Sequence, residues 1–187
     1  MPGSFASLNT VSAYLQDQVD LPGGLTLIPG LRLDYPLHLS KAYLQPRLQA
    51  SLDLFPSVRL NASWGLYNQF ISETLYSDDL GNYQYFWVLC DNESIPVLRS
   101  GHLVGGITLK KRGLTVVLES FFKNTEGITR LFRYPGQQEE SIYQGLSRTY
   151  GMDILAKQYL GPHEAWVSYT LSRTEEYFPF YFSEEYS

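Results

Sequence analysis

Apolar and polar side chains alternate with a period of two through almost the whole chain. In the segment Arg47–Leu54, the odd-numbered positions hold Arg, Gln, Ser and Asp, whereas the even-numbered positions hold Leu, Ala, Leu and Leu. The same alternation recurs in Val58–Tyr67 and in Trp166–Thr174. Successive side chains of a β-strand point to opposite faces, so this period is typical of strands with one apolar and one polar face. No helix-period pattern competes, and the sequence predicts an all-β, antiparallel fold.

Eight strands are predicted from these runs. Their ranges are 9–20, 24–35, 42–55, 57–70, 100–112, 114–125, 145–160 and 163–175. Several are longer than ten residues, whereas strands of globular proteins usually have about five or six. A strand that crosses a membrane at a tilt needs about nine to eleven residues, so the lengths favour membrane-crossing strands with overhangs.

The connections alternate strictly between short and long. The short ones are rich in Gly and Pro and lie at 22–24, 56–57, 111–113 and 161–163. The long ones lie at 36–41, 72–99 and 126–144. An up-and-down sheet then has all its short turns at one end, which is the asymmetry of outer-membrane β-barrels.

Composition narrows the function classes. The 187 residues carry a net charge of −5, which argues against a nucleic-acid partner because a polyanion is bound by a basic surface. No apolar run is long enough for a membrane helix. The N-terminus lacks the basic and apolar regions of a signal peptide, so an export signal is expected upstream and the chain is interpreted as a fragment.

Charged residues follow the alternation as a membrane strand requires. Leu25, Leu27, Leu31 and Leu33 alternate with residues that include Arg32 and Asp34. The other charged strand residues that share register with polar neighbours are Arg47, Asp53, Arg59, Lys110 and Glu119. Eight aromatic residues near strand ends are expected to form interfacial girdles: Tyr35, Tyr43, Tyr67, Phe70, Tyr150, Tyr159, Trp166 and Tyr177. The alternative is a water-soluble antiparallel sheet with the same alternation.

Two consecutive segments carry a family resemblance. Ser12–Val19 contains an aromatic-x-Gln-Asp motif, and Leu25–Tyr35 contains Pro-Gly-x-Arg-x-Asp. In this order they resemble the barrel of TonB-dependent outer-membrane receptors. Later segments are similar to further hairpins of that barrel: Gln45–Leu48, Ala62–Tyr67, Gly151–Leu155 and Trp166–Ser172. The last hairpin, which continues into 173–179, is most similar to members from the Bacteroidetes group.

The resemblance implies that residues 1–187 are about eight strands of a larger, 22-stranded transmembrane barrel in the bacterial outer membrane. The implied function is nutrient uptake with energy passed from TonB through a plug domain. Siderophores, haem, cobalamin and oligosaccharides are the implied substrate classes. The expected partners are outer-membrane lipid, the plug and remaining strands, the TonB complex and a small-molecule substrate. Two departures are that the chain contains no plug or TonB-contacting segment and stops in a loop-like stretch, so this piece alone is not expected to transport.

Candidate ligand-binding residues lie in two of the long connections. The segment 72–99 offers Tyr83, Tyr85 and Trp87 as stacking surfaces and Arg99 as a polar anchor. The connection 126–144 offers Arg130 and Arg133. The alternative for the first group is that 83–89 forms a small strand of its own.

No catalytic or metal site is predicted. His38, His102 and His163 lack the spacing of metal ligands. Cys90, the single cysteine, has no basic neighbour that would activate a thiolate, and no serine lies in a Gly-x-Ser-x-Gly elbow. The chain is therefore expected to be neither an enzyme nor a cofactor binder. Two alternatives stay open: a complete eight-stranded outer-membrane protein with a structural or adhesive role, and an outer-membrane enzyme on a small barrel.

Overall fold

The computed structural model describes residues 7–77, 83–133 and 140–179, and these form one eleven-stranded sheet. The strands are β1 (Thr10–Gln16), β2 (Val19–Leu21), β3 (Leu25–Pro36), β4 (Tyr43–Phe55), β5 (Val58–Gln69), β6 (Ile71–Ser77), β7 (Tyr83–Leu89), β8 (Leu98–Lys111), β9 (Leu114–Arg133), β10 (Glu140–Leu160) and β11 (His163–Tyr177).

Eight strands pair in the antiparallel order β1-β3-β4-β5-β8-β9-β10-β11. They correspond to the eight predicted strands, so the predicted all-β, up-and-down architecture is confirmed. The predicted strand 9–20 is broken into β1 and β2, and both pieces pair with β3. At the break, the Asp17 carboxylate accepts a hydrogen bond from the Gln18 backbone N–H at 2.8 Å. Such a local bond competes with the ladder between neighbouring strands.

All the short turns lie at one end of the sheet, here called the short-turn end. At the β8–β9 turn, Arg112 and Gly113 have φ values of 49° and 80°. Positive φ at both central residues is the conformation of a type I′ hairpin, whose twist matches that of the flanking strands. The opposite end, with the longer connections, is called the long-loop end. The predicted alternation of turn lengths therefore holds.

The long connections contain more strand than the sequence predicted. β6 and β7 pair as antiparallel partners of one hairpin, so the alternative interpretation of 83–89 as a strand is correct. The predicted loop 126–144 is wrong for 126–133 and 140–144, because β9 and β10 continue pairing there beyond the rest of the sheet. Its middle part, 134–139, lies outside the described residues. β6 lies parallel to β9, with Leu75 opposite Arg130, next to where β8 begins. The hairpin thereby satisfies backbone groups of β9 that β8 does not reach.

The small buried core also lies at the long-loop end. Tyr43, Phe70, Cys90 and Val97 are buried together, and the Tyr43 and Phe70 rings pack edge to face with centroids 5.0 Å apart. Over the central part of the sheet, the described residues form a single layer. The two edge strands β1 and β11 do not pair with each other, so the described sheet is open at both edges.

Candidate functional site

The pairing register sorts the side chains of the sheet onto two faces. Across β3, β4, β5, β8, β9, β10 and β11, one continuous row reads Leu25, Leu52, Leu60, Ile107, Leu118, Ile154 and Tyr169. The row beside it, on the opposite face, reads Thr26, Ser51, Asn61, Gly106, Glu119, Asp153 and Thr170. We call these the leucine face and the polar face.

The leucine face is uncovered. Leu48, Trp64, Leu103 and Ile154 each keep 41–54% of their surface exposed. A water-soluble sheet would cover such a face with a second layer, because exposed apolar patches of this extent are rare on soluble proteins. The structure therefore disfavours the soluble alternative, and the predicted facing of Arg47, Asp53, Arg59, Lys110 and Glu119 towards polar neighbours is confirmed.

The uncharged part of the leucine face has the height of a membrane core. On β8, the outward side chains from 100 to 110 carry no charge, between Arg99 and Lys111. On the leucine face of β10 and β11, the outward side chains within 149–157 and within 164–172 are likewise free of charged and amide groups. These lengths agree with the roughly nine to eleven residues of a tilted strand in hydrocarbon.

We call the boundary of this uncharged band on the side of the long-loop end its upper boundary. It runs obliquely across the strands. Asn68 of β5 is directly opposite Arg99 of β8. On β9 and β10 the boundary residues are Asn124 and Arg148, which lie two residues nearer the short-turn end than Arg99. On β11 the boundary residue Arg173 lies two residues nearer again. With about 3.3 Å per residue and about 4.8 Å between strands, this drop gives a tilt of roughly 35°. Membrane barrels tilt their strands by about 35–45°.

The predicted aromatic girdle is mostly wrong. By register, Tyr43, Tyr67, Tyr159 and Trp166 belong to the polar face, and Phe70 is buried in the core. Tyr67 shows this directly, because its ring centroid lies 4.6 Å from that of His102. Only Tyr35, Tyr150 and Tyr177 of the eight lie on the leucine face. That face instead carries Trp64 and Phe122 near its upper boundary, in the row of Tyr150.

The polar face is concave. A recess of about 400 Å³ on this face is lined by residues of five strands, among them Thr26, Gln49, Asn61, Val104 and Glu119. One strand pair is joined near its short turn, where Arg59 donates two hydrogen bonds to the Asp53 carboxylate at 2.5 and 2.8 Å. A concave polar wall backed by an apolar convex face is the cross-section of a barrel with an aqueous interior.

A second recess of about 630 Å³ opens at the long-loop end of the polar face, and we call it the mouth recess. Trp87 of the hairpin, Phe70 and Ile71 line one side of it, while Ser12, Arg32 and Asp34 from β1 and β3 line the other. It thus combines an exposed aromatic surface with polar anchors, which is the general composition of small-molecule sites.

Asp34 organises the polar side of the mouth recess. Its carboxylate is buried and accepts hydrogen bonds from Arg32 Nε at 2.8 Å and from Gln45 Nε2. Arg32 also donates from Nη2 to Ser12 Oγ at 3.3 Å. Three strands are therefore tied together at one carboxylate, and the guanidinium is held at the recess wall.

The hairpin that presents Trp87 is fixed by buried hydroxyl groups. Thr129 Oγ1 of β9 lies 3.2 Å from Ser72 Oγ and 2.9 Å from Thr74 Oγ1 of β6. All three side chains are buried. Buried polar groups are costly unless they are paired, so this cluster favours one position of the hairpin on β9.

The six predicted ligand residues are dispersed. Trp87 lines the mouth recess, and Tyr85 lies on the same face of β7 and is equally exposed at 65%. Arg99 is on the leucine face opposite Glu126. Arg130 is paired with Glu176 at 2.6 Å and stacks on the Phe178 ring. Tyr83 and Arg133 belong to β7 and β9, and their side chains lie outside the described part of the structure.

Sequence reasoning missed Arg32 and Asp34 as members of the same recess as Trp87. They are separated from it by more than fifty positions, and only the folding of the hairpin towards β1 and β3 brings them together. A usable signal was present, since Arg32 and Asp34 are two charges at the long-loop end of one strand face.

The side chains of His38 and Cys90 make contacts within the fold. His38 Nε2 lies 3.0 Å from the Cys90 carbonyl oxygen. Burial raises the pKa of the Cys90 thiol to about 11, which makes it a poor nucleophile at neutral pH. Among the described residues, no three His, Cys, Asp or Glu side chains converge as a metal site. Residues 7–77, 83–133 and 140–179 contain no helix that is long and apolar enough to cross a membrane.

Comparison with solved structures identifies the architecture. The siderophore receptor PirA from Pseudomonas aeruginosa superimposes with a TM-score of 0.66 at 15% identity, over 90% of this chain and 36% of that one. A mutant of the ferric enterobactin receptor PfeA from the same species gives 0.50 at 12% identity, over 90% and 37%. No family model matches the sequence, and no curated protein does. The chain spans little more than a third of these receptors and has the fold of part of their transmembrane barrel.

Proposed function

We propose that this chain is a partial barrel domain of a TonB-dependent receptor in the bacterial outer membrane. The observation that carries the proposal is the uncharged leucine face, which has the height of hydrocarbon and an oblique upper boundary, on a sheet with a concave polar face. The structural similarity to two siderophore receptors supports it. In this proposal residues 1–187 form part of the barrel wall and of its opening at the long-loop end. A plug domain and further strands complete the receptor.

The proposed activity of the complete receptor is uptake of a scarce small molecule, driven through TonB, without catalysis. A ferric siderophore is the first substrate class to test, because both matched proteins are siderophore receptors; haem, cobalamin and oligosaccharides are the others. The alternative of a complete eight-stranded protein is less well supported, because β1 and β11 do not pair. For the alternative of a small-barrel enzyme, the described residues offer no group of three His, Cys, Asp or Glu side chains that could hold a catalytic metal ion.

Uptake by the complete gene product tests the proposal. Cells that produce it should accumulate at least one iron-labelled siderophore, with ferric enterobactin as the first probe, and lose this uptake when either the gene or TonB is deleted. Haem, cobalamin and oligosaccharides are assayed in the same strains. If neither deletion changed the uptake of any of the four substrate classes, the proposed function would be contradicted.

Trp87 provides a sharper test of the mouth recess. Trp87→Ala should weaken binding of the transported ligand by roughly two- to tenfold, because stacking on an aromatic ring is lost. Tyr85→Ala is the matched control, since this side chain is equally exposed and does not line the recess. Equal losses in both variants would show that the recess is not where the ligand binds.

A further inference from the structure

The charges that line the mouth recess compensate each other. Among the described residues of its lining, Arg32 and Asp34 are the charged ones, and Arg32 Nε lies 2.8 Å from Asp34 Oδ1. The other polar residues of the lining have hydroxyl or amide side chains: Thr10, Ser12, Asn68 and Gln69. Within the described part of the chain, the recess therefore has no uncompensated charge that would attract an ion.

The Arg32 guanidinium is held as an oriented hydrogen-bond donor. Its Nε donates to Asp34 and its Nη2 to Ser12 Oγ, whereas Nη1 takes part in neither bond. Because 44% of the side chain is exposed, its remaining N–H groups can reach a ligand. The Asp34 carboxylate also accepts hydrogen bonds from Gln45 and Ser12, so its oxygens are occupied by protein groups. This wall of the recess thus donates hydrogen bonds to oxygen atoms without adding net charge.

The opposite wall of the recess is flat and apolar. Trp87 is exposed there, and Phe70 and Ile71 continue the same side. An exposed indole binds best to a ligand that presents an apolar face of matching area. A pyranose ring has such a face of C–H groups, and its hydroxyl oxygens lie around its rim. A sugar ring therefore complements both walls at once.

We propose that the mouth recess binds an uncharged pyranose ring of an oligosaccharide, with one face of the ring on Trp87 and hydroxyl oxygens accepting hydrogen bonds from Arg32. The volume of about 630 Å³ is in the range of small-molecule sites. A polyanionic ligand such as a ferric siderophore would need uncompensated cations, because charged groups are costly to bury without partners. The inference rests on the proposed function and narrows its substrate class.

Binding and its salt dependence test the proposal. The complete receptor in detergent is titrated in a calorimeter with the uncharged sugars maltohexaose, cellohexaose, mannohexaose and xylohexaose, and with ferric enterobactin. At least one hexasaccharide should bind, and its Kd should change by less than about twofold between about 0.05 and 0.5 M salt, because no ion pair is screened. Binding of none of the hexasaccharides, or a Kd that rises on the order of tenfold with salt, would overturn the proposal.

A matched pair of variants locates the binding site. Asp34→Asn removes the carboxylate that orients Arg32, so the affinity for the bound hexasaccharide should fall by roughly two- to tenfold. Asp53→Asn is the control, since Asp53 forms the same kind of pair with Arg59 but does not line the mouth recess. This variant should keep the wild-type affinity. Equal affinities in the two variants would overturn the proposal.

Variants of Trp87 repeat the test at an exposed position, where folding does not depend on the side chain. Trp87→Ala should weaken hexasaccharide binding by roughly two- to tenfold, because the stacking surface is lost. Trp87→Phe keeps a flat ring and should retain most of the affinity. A Trp87→Ala variant that binds the hexasaccharide as tightly as wild type would overturn the proposal.

Uptake separates this proposal from the proposed function. Cells that take up ferric enterobactin only when TonB is present, with a receptor that binds none of the hexasaccharides, would overturn the sugar site and support the proposed function. If deletion of the gene or of TonB changed the uptake of neither ligand class, the proposed function itself would be contradicted.

Discussion

Arg32 Nε lies 2.8 Å from Oδ1 of Asp34, two residues further along β3 and on the same face of the strand. The two partners are unequally buried, with 44% of the Arg32 side chain exposed and 5% of that of Asp34. The carboxylate therefore acts as an internal anchor, and the guanidinium forms part of the wall of the mouth recess.

Removing this anchor should cost more than removing an exposed carboxylate of the same chemistry. Asp34→Ala leaves Arg32 and Gln45 without their shared acceptor, and we expect a loss of about 1–3 kcal/mol in unfolding free energy. Asp53→Ala breaks the Arg59 pair, in which both side chains are about half exposed, and should destabilise the protein less because solvent screens this pair. Urea titrations of both variants in the same vesicles make the comparison. Equal losses would contradict the anchoring role of Asp34.

The position of the hairpin should depend on Thr129. Thr129→Val keeps the volume of the side chain but leaves the buried hydroxyls of Ser72 and Thr74 without this partner. We expect hydrogen exchange of the β6 and β7 amides to accelerate by roughly five- to a hundredfold, as a local cost of about 1–3 kcal/mol implies. Thr149→Val is the control, since it removes an exposed hydroxyl pair with Thr174 at 3.0 Å. Unchanged exchange in the hairpin would show that the hydroxyl cluster does not hold it.

Cys90 should make folding sensitive to alkaline pH. Because burial raises the pKa of its thiol to about 11, the folded state binds the proton more tightly than the unfolded state, in which the pKa is near 9. The contribution to stability is therefore complete below pH 9 and is lost as the pH rises towards 11. Alkylation of the native protein by iodoacetamide at pH 8 should be much slower than after unfolding in urea. Comparable rates in the two states would mean that the thiol is not buried.

Much of the fold could be predicted because period-two alternation is a local signal. It located all eight strands of the main path and the facing of Arg47, Arg59 and Glu119. The prediction of the aromatic girdle was mostly wrong because those residues were chosen by their position along a strand. Whether each residue stands at an odd or even position, which we call its parity, decides the face of the sheet and was not considered. Tyr67 shares parity with Asn61 and Ser63, and Trp166 with Ser168 and Thr170, so the sequence already indicated the polar face for both.

The mouth recess could not be predicted in the same way. β6 lies parallel to β9 because β8 leaves the upper part of β9 unpaired, and this depends on pairing between segments more than fifty positions apart. At the break between β1 and β2, the Asp17 carboxylate accepts a hydrogen bond from the next backbone N–H, a local interaction that period-two alternation does not reveal. Trp87 was a candidate from the sequence and lines the mouth recess, whereas Arg32 and Asp34 join it there only when the hairpin is in place.

Labels on consecutive residues of β10 test the central claim most directly. Spin labels placed one at a time at 151–157, in protein folded into vesicles, report collisions with oxygen, which concentrates in lipid, and with a water-soluble nickel chelate. We predict that Met152, Ile154 and Ala156 respond mainly to oxygen and that Gly151, Asp153 and Leu155 do not, with a period of two. Nickel accessibility at Ile154 as high as at Asp153 would show that the leucine face does not meet lipid.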